Sequence, residues 1–196
     1  MKEKPILFSA PMVRAILEGR KTQTRRIVKL PKWFLEEYPQ YGSYEIMSEI
    51  NCPYGSVSNF LWVRETFVYR HKYDRFYYRA DYPTFEPYAH DGWKPSIFMP
   101  RTASRISLEV TDFRVERLQD ILEEDAKEEG VGGKDTVVVS PITTPTYRKA
   151  FSIFWNFIND KRGIGWEKNP WVWVVEFKSA IKKGANNEDR RVSGKR

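Results

Sequence analysis

Apolar and polar residues alternate from position 104 to 110, and this pattern predicts a half-buried β-strand with Ile106, Leu108 and Val110 on its buried face. The pattern continues unevenly as far as Leu118. Runs rich in β-branched and aromatic residues predict further strands at residues 6–8, 60–68, 75–80 and 171–177. We expect the strands at 60–68 and 75–80 to pair around residues 69–74.

Helical periodicity predicts three helices. The first follows the start signal Ser9-Ala10-Pro11 and ends at Gly19. The second is short and acidic, starts with a capping-box-like pair at Asp120 and Glu123, and ends at Gly130. The third opens at Thr144-Pro145, and we expect its apolar stripe to face the core. The stripe comprises Tyr147, Ala150, Phe151, Phe154, Phe157 and Ile158.

The remaining segments carry no sustained period. Residues 29–59 and 81–100 are interpreted as long ordered insertions, the second interrupted by four prolines, and residues 132–145 as a loop. The polar, basic tail at 181–196 is expected to be disordered. The order of elements predicts one α+β domain over residues 1–180, with flanking helices and a largely antiparallel, barrel-like sheet.

Composition narrows the class of partner. The 196 residues carry a formal net charge of +7 and 15% aromatic side chains, which favours an anionic partner such as nucleic acid. One cysteine, Cys52, and two histidines supply neither a disulfide nor a cysteine- or histidine-rich metal centre, so we expect no metal and no cofactor. No signal peptide and no apolar run near the roughly 20 residues of a membrane span is present, so the expected location is the cytoplasm.

The segment 19–26, Gly-Arg-Lys-Thr-Gln-Thr-Arg-Arg, concentrates four cations and two threonine hydroxyls just after the first helix. It could be a phosphate-binding corner, a lysine-based catalytic site or a solvated helix end, since cations stabilise the C-terminus of a helix. If a helical turn persists there, Lys21 and Thr24 share one face. Arg20 and Arg25 are expected to be surface charges.

The pattern Gly19-x-Lys21-x-x-Thr24-x-Arg26 and the strands at 61–65, from 105 onward and at 173–177 resemble the ASCH domain family. This family has a PUA-like β-barrel fold, and chains of this layout are often encoded by phages or prophages. The resemblance implies a cleft beside the first helix that accepts RNA or a nucleoside or nucleotide. The two insertions are not part of the compact family pattern.

One branch of that family, the small bacterial amidohydrolases that act on N4-acetylcytidine, is similar in the motif and uses a Lys, a Thr and a Glu. The resemblance implies Lys21, Thr24 and Glu129 as the catalytic trio, with the adjacent Glu128 as the alternative carboxylate. A lysine with a lowered pKa could deprotonate a threonine hydroxyl, and a carboxylate could orient the amine. Lys21 with Glu129 could alternatively serve as the acid and base of a metal-free ribonuclease.

Further residues are candidates for ligand binding. Arg26 belongs to the basic segment, and Trp93, Lys94 and Arg101 could close over a nucleobase and its phosphate. Glu65 could contact a base edge or form a cross-strand ion pair with Arg79 or Arg105. Two classes of function therefore remain open: a module that binds RNA or a nucleoside, and a hydrolase of the same fold.

Overall fold

A computed structural model of the chain describes residues 2–31, 42–43, 46–47, 50–82, 92–132 and 146–181. Its helices and strands with described bounds follow in chain order: β1 (Glu3–Leu7), α1 (Ala10–Leu17), β2 (Gln23–Ile27), β3 (Phe60–Arg64), β4 (Phe67–Arg70), β5 (Arg75–Tyr78), β6 (Ile106–Arg117), α2 (Glu123–Glu128), α3 (Tyr147–Asn159) and β7 (Trp171–Ile181). Short 3-10 turns connect several of them. The predicted α+β class is confirmed.

Five strands form one sheet in the order β1-β3-β6-β7-β2, and β4 pairs with β5 as a separate hairpin. β1 runs parallel to β3, whereas the other pairs are antiparallel, as the sequence predicts. The hairpin of β4 and β5 is the pairing predicted around residues 69–74. A bulge between Val110 and Asp112 explains the uneven alternation along β6.

The two ends of the sheet, β1 and β2, approach each other. Arg26 Nη2 on β2 donates to the carbonyl oxygen of Leu7 on β1 over 2.7 Å. The Arg26 guanidinium and the Lys21 ammonium lie over the Phe8 ring, 5.1 and 5.7 Å from its centroid. Within the described residues, β1 and β2 are joined by these side-chain contacts and not by backbone pairing. The sheet therefore curls toward the predicted barrel.

Successive side chains of β7 point to opposite faces of the sheet and pack into two separate hydrophobic clusters. Trp173, Val175 and Phe177 pack with β3, β6 and the buried face of α1. Val172 and Val174 point the other way and pack against α2 and α3. The two helices that follow β6 thus cover the outer surface of the sheet, and α1 covers the inner one.

Several predicted elements differ from the observed ones. The strand predicted at 60–68 is interrupted at Glu65 and Thr66, because the chain leaves the large sheet there and enters the hairpin. The basic segment contains the strand β2, which was missed because three of its five residues are polar or charged yet buried. The N-cap of α2 is Leu122, not Asp120, and the N-cap of α3 is Thr146.

The apolar stripe of α3 is only partly core. Ala150, Phe151 and Trp155 are buried, whereas Phe157 and Ile158 are 69% and 46% exposed. The expectation that the whole stripe faces the core is therefore wrong for Phe157 and Ile158 at its C-terminal end and for Tyr147, which is 40% exposed, at its start.

Some predicted segments lie outside the described residues. These are the tail at 182–196, residues 133–145 of the loop after α2, and residues 32–41 and 83–91 within the two insertions. Among the helices that are described, none combines the length and apolar character needed to cross a bilayer.

Candidate functional site

A cavity of about 560 Å³ lies where the end of β1, the strand β2 and the helix α3 meet. Its walls bring together most of the motif residues. The lining residues are Leu7, Phe8, Ser9, Met12, Lys21, Thr24, Arg25, Arg26, Ile27, Lys29, Tyr54, Thr66, Ser96, Glu129, Phe151, Phe154, Trp155, Ile158, Asn159 and Arg162. The predicted trio Lys21, Thr24 and Glu129 therefore lines one cavity, together with Arg26.

The turn between α1 and β2 positions the motif residues against the end of α2. Gly19 adopts a left-handed φ of +73° and ends the helix, as predicted, because a residue without a Cβ enters that region at little cost. Lys21 then forms an isolated bridge with Glu129, and the Thr22 amide donates to the Glu128 carbonyl over 2.9 Å. These backbone contacts bring the end of α2 against the start of β2.

Lys21 and Glu129 form a buried ion pair, and each is only 3% exposed. Lys21 Nζ donates to Glu129 Oε2 over 2.6 Å, to the Glu129 carbonyl over 2.9 Å and to the Gln23 carbonyl over 2.8 Å. Burial lowers the pKa of the Lys21 amine, while the Glu129 carboxylate opposes this shift and Arg26 and Arg25 add to it. With three acceptors, the lysine is held here as a fully satisfied ammonium.

Arg25 is buried, so the expectation that it is a surface charge is wrong. Its guanidinium donates to Glu116 and Asp125 at 2.7 and 3.0 Å, and to Glu129 Oε1 at 3.3 Å. Glu129 is thereby held by Lys21 on one oxygen and by Arg25 on the other. Desolvation works against ionisation of Asp125, but hydrogen bonding from Gln23 and the charge of Arg25 lower the pKa of this carboxyl group overall.

Thr24 and Arg26 reach the cavity from β2 and not from a helical turn. The proposed helical face shared by Lys21 and Thr24 is therefore wrong, since α1 already ends at Leu17. The pKa of Arg26 is lowered, chiefly by burial. Tyr54 lies close enough to interact electrostatically with Arg26, and burial raises the pKa of its hydroxyl.

The charge on the cavity wall is mostly positive. Five of its side chains are cationic, and Glu129 is its one carboxylate among the described residues. Lys21 and Arg25 both form ion pairs with that carboxylate. In the part of the chain that the structure describes, Arg26, Lys29 and Arg162 form no salt bridge. Helix α3 contributes most of the apolar lining through Phe151, Phe154, Trp155 and Ile158, together with the polar Asn159.

Four other predicted ligand-binding residues do not line this cavity. Glu65 is buried in an ion pair with Arg105 at 2.9 Å, which was the alternative interpretation. Arg101 forms two 2.8 Å hydrogen bonds to Glu3. Lys94 pairs with Phe67 through the backbone, and the Trp93 ring packs near Tyr82 with a centroid distance of 6.4 Å. Arg20, by contrast, pairs with the exposed Glu18, as expected of a surface charge.

Several cavity residues were missed from the sequence. Phe154 and Trp155 belong to the helix whose aromatic residues were assigned to the core, and Phe8 and Tyr54 carry no motif. The helical period of α3 identifies its apolar face but does not tell where that face passes from the core to the cavity. Among the described residues there is no group of three or more His, Cys, Asp or Glu side chains that could hold a metal ion.

Comparison with known proteins gives structural similarity alone. No protein-family model and no curated protein matches the chain. The structure is similar to a crystal structure of an ASCH domain from Lactobacillus crispatus, with a TM-score of 0.43 and 14% identity over 92% of this chain and 81% of that one. It is also similar to a DUF984 protein from Enterococcus faecalis, with a TM-score of 0.44 and 9% identity over 96% of this chain and 86% of that one.

Both similarities extend over most of this chain, and both TM-scores lie below 0.5.

Proposed function

We propose that the chain binds RNA or a modified nucleoside or nucleotide in the cavity beside α1. The observation that carries this proposal is the mixed lining of the cavity: four of its five cations and the one carboxylate lie on or beside β2 and at the end of α2, whereas α3 supplies mainly aromatic and aliphatic side chains, with Arg162 just past its end. A volume of about 560 Å³ lies within the range of small-molecule sites. A nucleotide matches this mixed lining, because its base is flat and apolar on its faces whereas its phosphate is anionic.

The cavity cations that form no salt bridge within the described residues are the candidates for binding a phosphate. Arg26 is held against the Phe8 ring with one nitrogen on the Leu7 carbonyl, so its remaining donors have a fixed direction. Lys29 and Arg162 line the same cavity and are exposed. The base would then lie along Phe154 and the neighbouring apolar residues of α3.

Binding of nucleosides, 5′-nucleotides and short RNA by the full chain tests this proposal, by calorimetry or fluorescence at several salt concentrations. Arg26→Gln should weaken nucleotide binding and reduce its dependence on salt, because one contact to phosphate is lost. Arg20→Gln, which removes a surface arginine from the same basic segment, should leave binding unchanged. Wild-type protein that binds none of these ligands, or equal effects of the two variants, would contradict the proposal.

A second candidate is hydrolysis of an N4-acylated cytidine, and the observation that favours it is the presence of Lys21, Thr24 and Glu129 on one cavity wall. Thr24 Oγ1 would attack the acyl carbon while its proton passes to the Lys21 amine. The carbon–nitrogen bond would then break, and N4 would leave as an amine after protonation. Water would release the acyl group from Thr24. To accept a proton, Lys21 must first give up one of its three present hydrogen bonds, and its lowered pKa favours this.

Acetate release from N4-acetylcytidine tests this second candidate, with RNA length followed in a parallel incubation. Thr24→Val should abolish acetate release, whereas Thr24→Ser should retain part of it because the hydroxyl is kept. Binding without acetate release would leave the chain as a binding module. Cleavage of the RNA by wild type but not by Glu129→Gln would instead indicate a ribonuclease.

A further inference from the structure

We propose that the outer face of β3, with the turn that follows Ser96, binds the nucleotides on either side of the one in the cavity. This surface, formed by Leu7, Trp62, Arg64, Ile97 and Phe98, is called the stacking surface below. The ligand is then single-stranded RNA and not a free nucleoside. This inference rests on the proposed binding of a nucleotide in the cavity, and it names the class of ligand.

The alternation of β3 creates the surface. Leu61 and Val63 are fully buried in the core, so Trp62 and Arg64 lie on the opposite face of the strand. The guanidinium of Arg64 lies 5.4 Å from the centroid of the Trp62 ring. Arg101 approaches the same ring at 5.9 Å. The Trp62 indole thus lies next to two guanidinium groups, and aromatic rings beside cations are the side chains that contact bases and phosphates of a nucleic-acid strand.

The stacking surface is continuous with the cavity at two points. Leu7 is the register partner of Arg64, and it also lines the cavity. Ser96 lines the cavity and begins the 3-10 turn that carries Ile97 and Phe98. Arg64 Nη2 donates to the Ile97 carbonyl and so fixes this turn beside the Trp62 ring. A chain that leaves the cavity past Leu7 or Ser96 therefore arrives on this surface.

Exposure and charge favour a nucleic-acid strand as the occupant. Phe98 and Ile97 are 68% and 58% exposed although they are large and apolar. Arg101 is neutralised by Glu3, whereas Arg64 forms no salt bridge within the described residues. Aromatic and apolar side chains beside an uncompensated arginine match a strand of stacked bases with an anionic backbone. A peptide would need an acidic residue opposite Arg64 and would not require the cavity.

Comparison of ligand lengths tests the inference. Binding of cytidine 5′-monophosphate and of a cytidine tetranucleotide to the full chain should differ, with the tetranucleotide on the order of tenfold tighter because stacked bases add affinity. Phe98→Ala should remove most of this gain and leave the monophosphate affinity unchanged. Trp62→Leu should act in the same direction.

The matched control is Phe157→Ala, since Phe157 is 69% exposed, nearly the same as Phe98, but lies on α3 and not on the stacking surface. Equal affinity of the wild type for both ligands would overturn the stacking surface and leave the cavity proposal standing. An equal loss in Phe98→Ala and Phe157→Ala would overturn it as well. Failure of the wild type to bind either ligand would overturn the cavity proposal and the stacking surface together.

Discussion

Lys21 Nζ lies 2.6 Å from Glu129 Oε2, although 108 positions separate the two residues in the chain. The pair connects the turn after α1 to the C-terminal end of α2. Because each partner is almost completely buried, neither charge can be hydrated if the other is lost. The pair is thus both a structural link between two segments and the polar end of the cavity.

Removal of one partner should cost more stability than removal of both charges. Lys21→Met leaves the Glu129 carboxylate buried with Arg25 as its remaining partner, and we expect a loss of roughly 3 kcal/mol or more. The double variant Lys21→Met, Glu129→Gln should recover part of this loss, because no buried carboxylate remains. Urea denaturation of the wild type, both single variants and the double variant measures the coupling. Strictly additive losses would show that the two side chains do not interact energetically.

Arg25 and Arg20 should differ in their contribution to stability, although they stand five positions apart in the same basic segment. Arg25→Ala would leave Glu116, Asp125 and Glu129 without their shared donor, so we expect a loss of about 3–5 kcal/mol. Arg20→Ala removes an exposed pair with Glu18 and a 3.0 Å hydrogen bond to the Gly130 carbonyl, for which a smaller loss of about 1–2 kcal/mol is expected. Thermal and urea unfolding of the two variants would reveal the difference. Equal losses would mean that the buried network stabilises no more than the surface pair.

Gly130 should be intolerant of a side chain, whereas Gly19 should tolerate one better. Both adopt positive φ angles, +80° and +73°. A Cβ at Gly130 would lie 2.8 Å from the Ala15 Cβ and 2.9 Å from the Lys21 Cβ, whereas none of the surrounding atoms lies within 4 Å of one at Gly19. Gly19→Ala should therefore cost about 1 kcal/mol for backbone strain alone, and Gly130→Ala clearly more.

Gly130→Ala should also disturb the site, because its steric conflict is with the backbone-proximal part of Lys21. We expect it to weaken nucleotide binding, while folded Gly19→Ala binds like the wild type. Chemical denaturation and ligand titration of the two variants check this pair. A Gly130→Ala variant as stable as Gly19→Ala would show that the contact between α1 and the residue after Glu129 can relax.

The candidate site was predicted from the sequence only in part, and residues 19–26 illustrate both outcomes. Lys21, Thr24 and Glu129, which the family resemblance grouped, line one cavity, but the helical turn expected to hold Lys21 and Thr24 is absent there because α1 ends at Leu17 and the chain turns into β2. The burial of Arg25 could not be predicted, since its carboxylate partners lie 91 to 104 positions further along the chain. Strand β2 was missed for the same reason: its buried polar side chains have long-range partners that give no local periodicity.

In the long loop after β5, the predicted role of a residue differs from its observed contacts. Arg101 was predicted to bind ligand because cations and aromatic residues lie close together in that part of the sequence. In the structure it pairs with Glu3, which lies near the start of the sequence. Composition locates a polar and aromatic surface without telling which side chains neutralise one another. Glu65 was placed correctly only by the alternative of an ion pair with Arg105, a pairing that depends on two strands meeting.

The lowered pKa of Lys21 predicts a pH dependence of stability with a definite sign. Between that lowered value and the usual value of 10.5, the unfolded chain holds a proton on Lys21 that the folded chain has released. The unfolded state then binds more protons, so the contribution of Lys21 to the free energy of unfolding rises with pH across this window. It is lost as the pH falls through the folded-state pKa. Below that pKa the contribution no longer changes with pH.

Comparison of the wild type with Lys21→Met isolates this contribution, since all other ionisable side chains are present in both proteins. The free energy of unfolding of the wild type, relative to Lys21→Met, should increase as the pH rises from neutrality toward the usual lysine pKa of 10.5, over the part of this range that lies above the lowered pKa of Lys21. Lys29→Met removes an exposed lysine from the same cavity and serves as the control for loss of one positive charge. If the difference between wild type and Lys21→Met is flat or falls over that range, the three hydrogen bonds of the ammonium outweigh its desolvation, and Lys21 could not act as a base in the cavity.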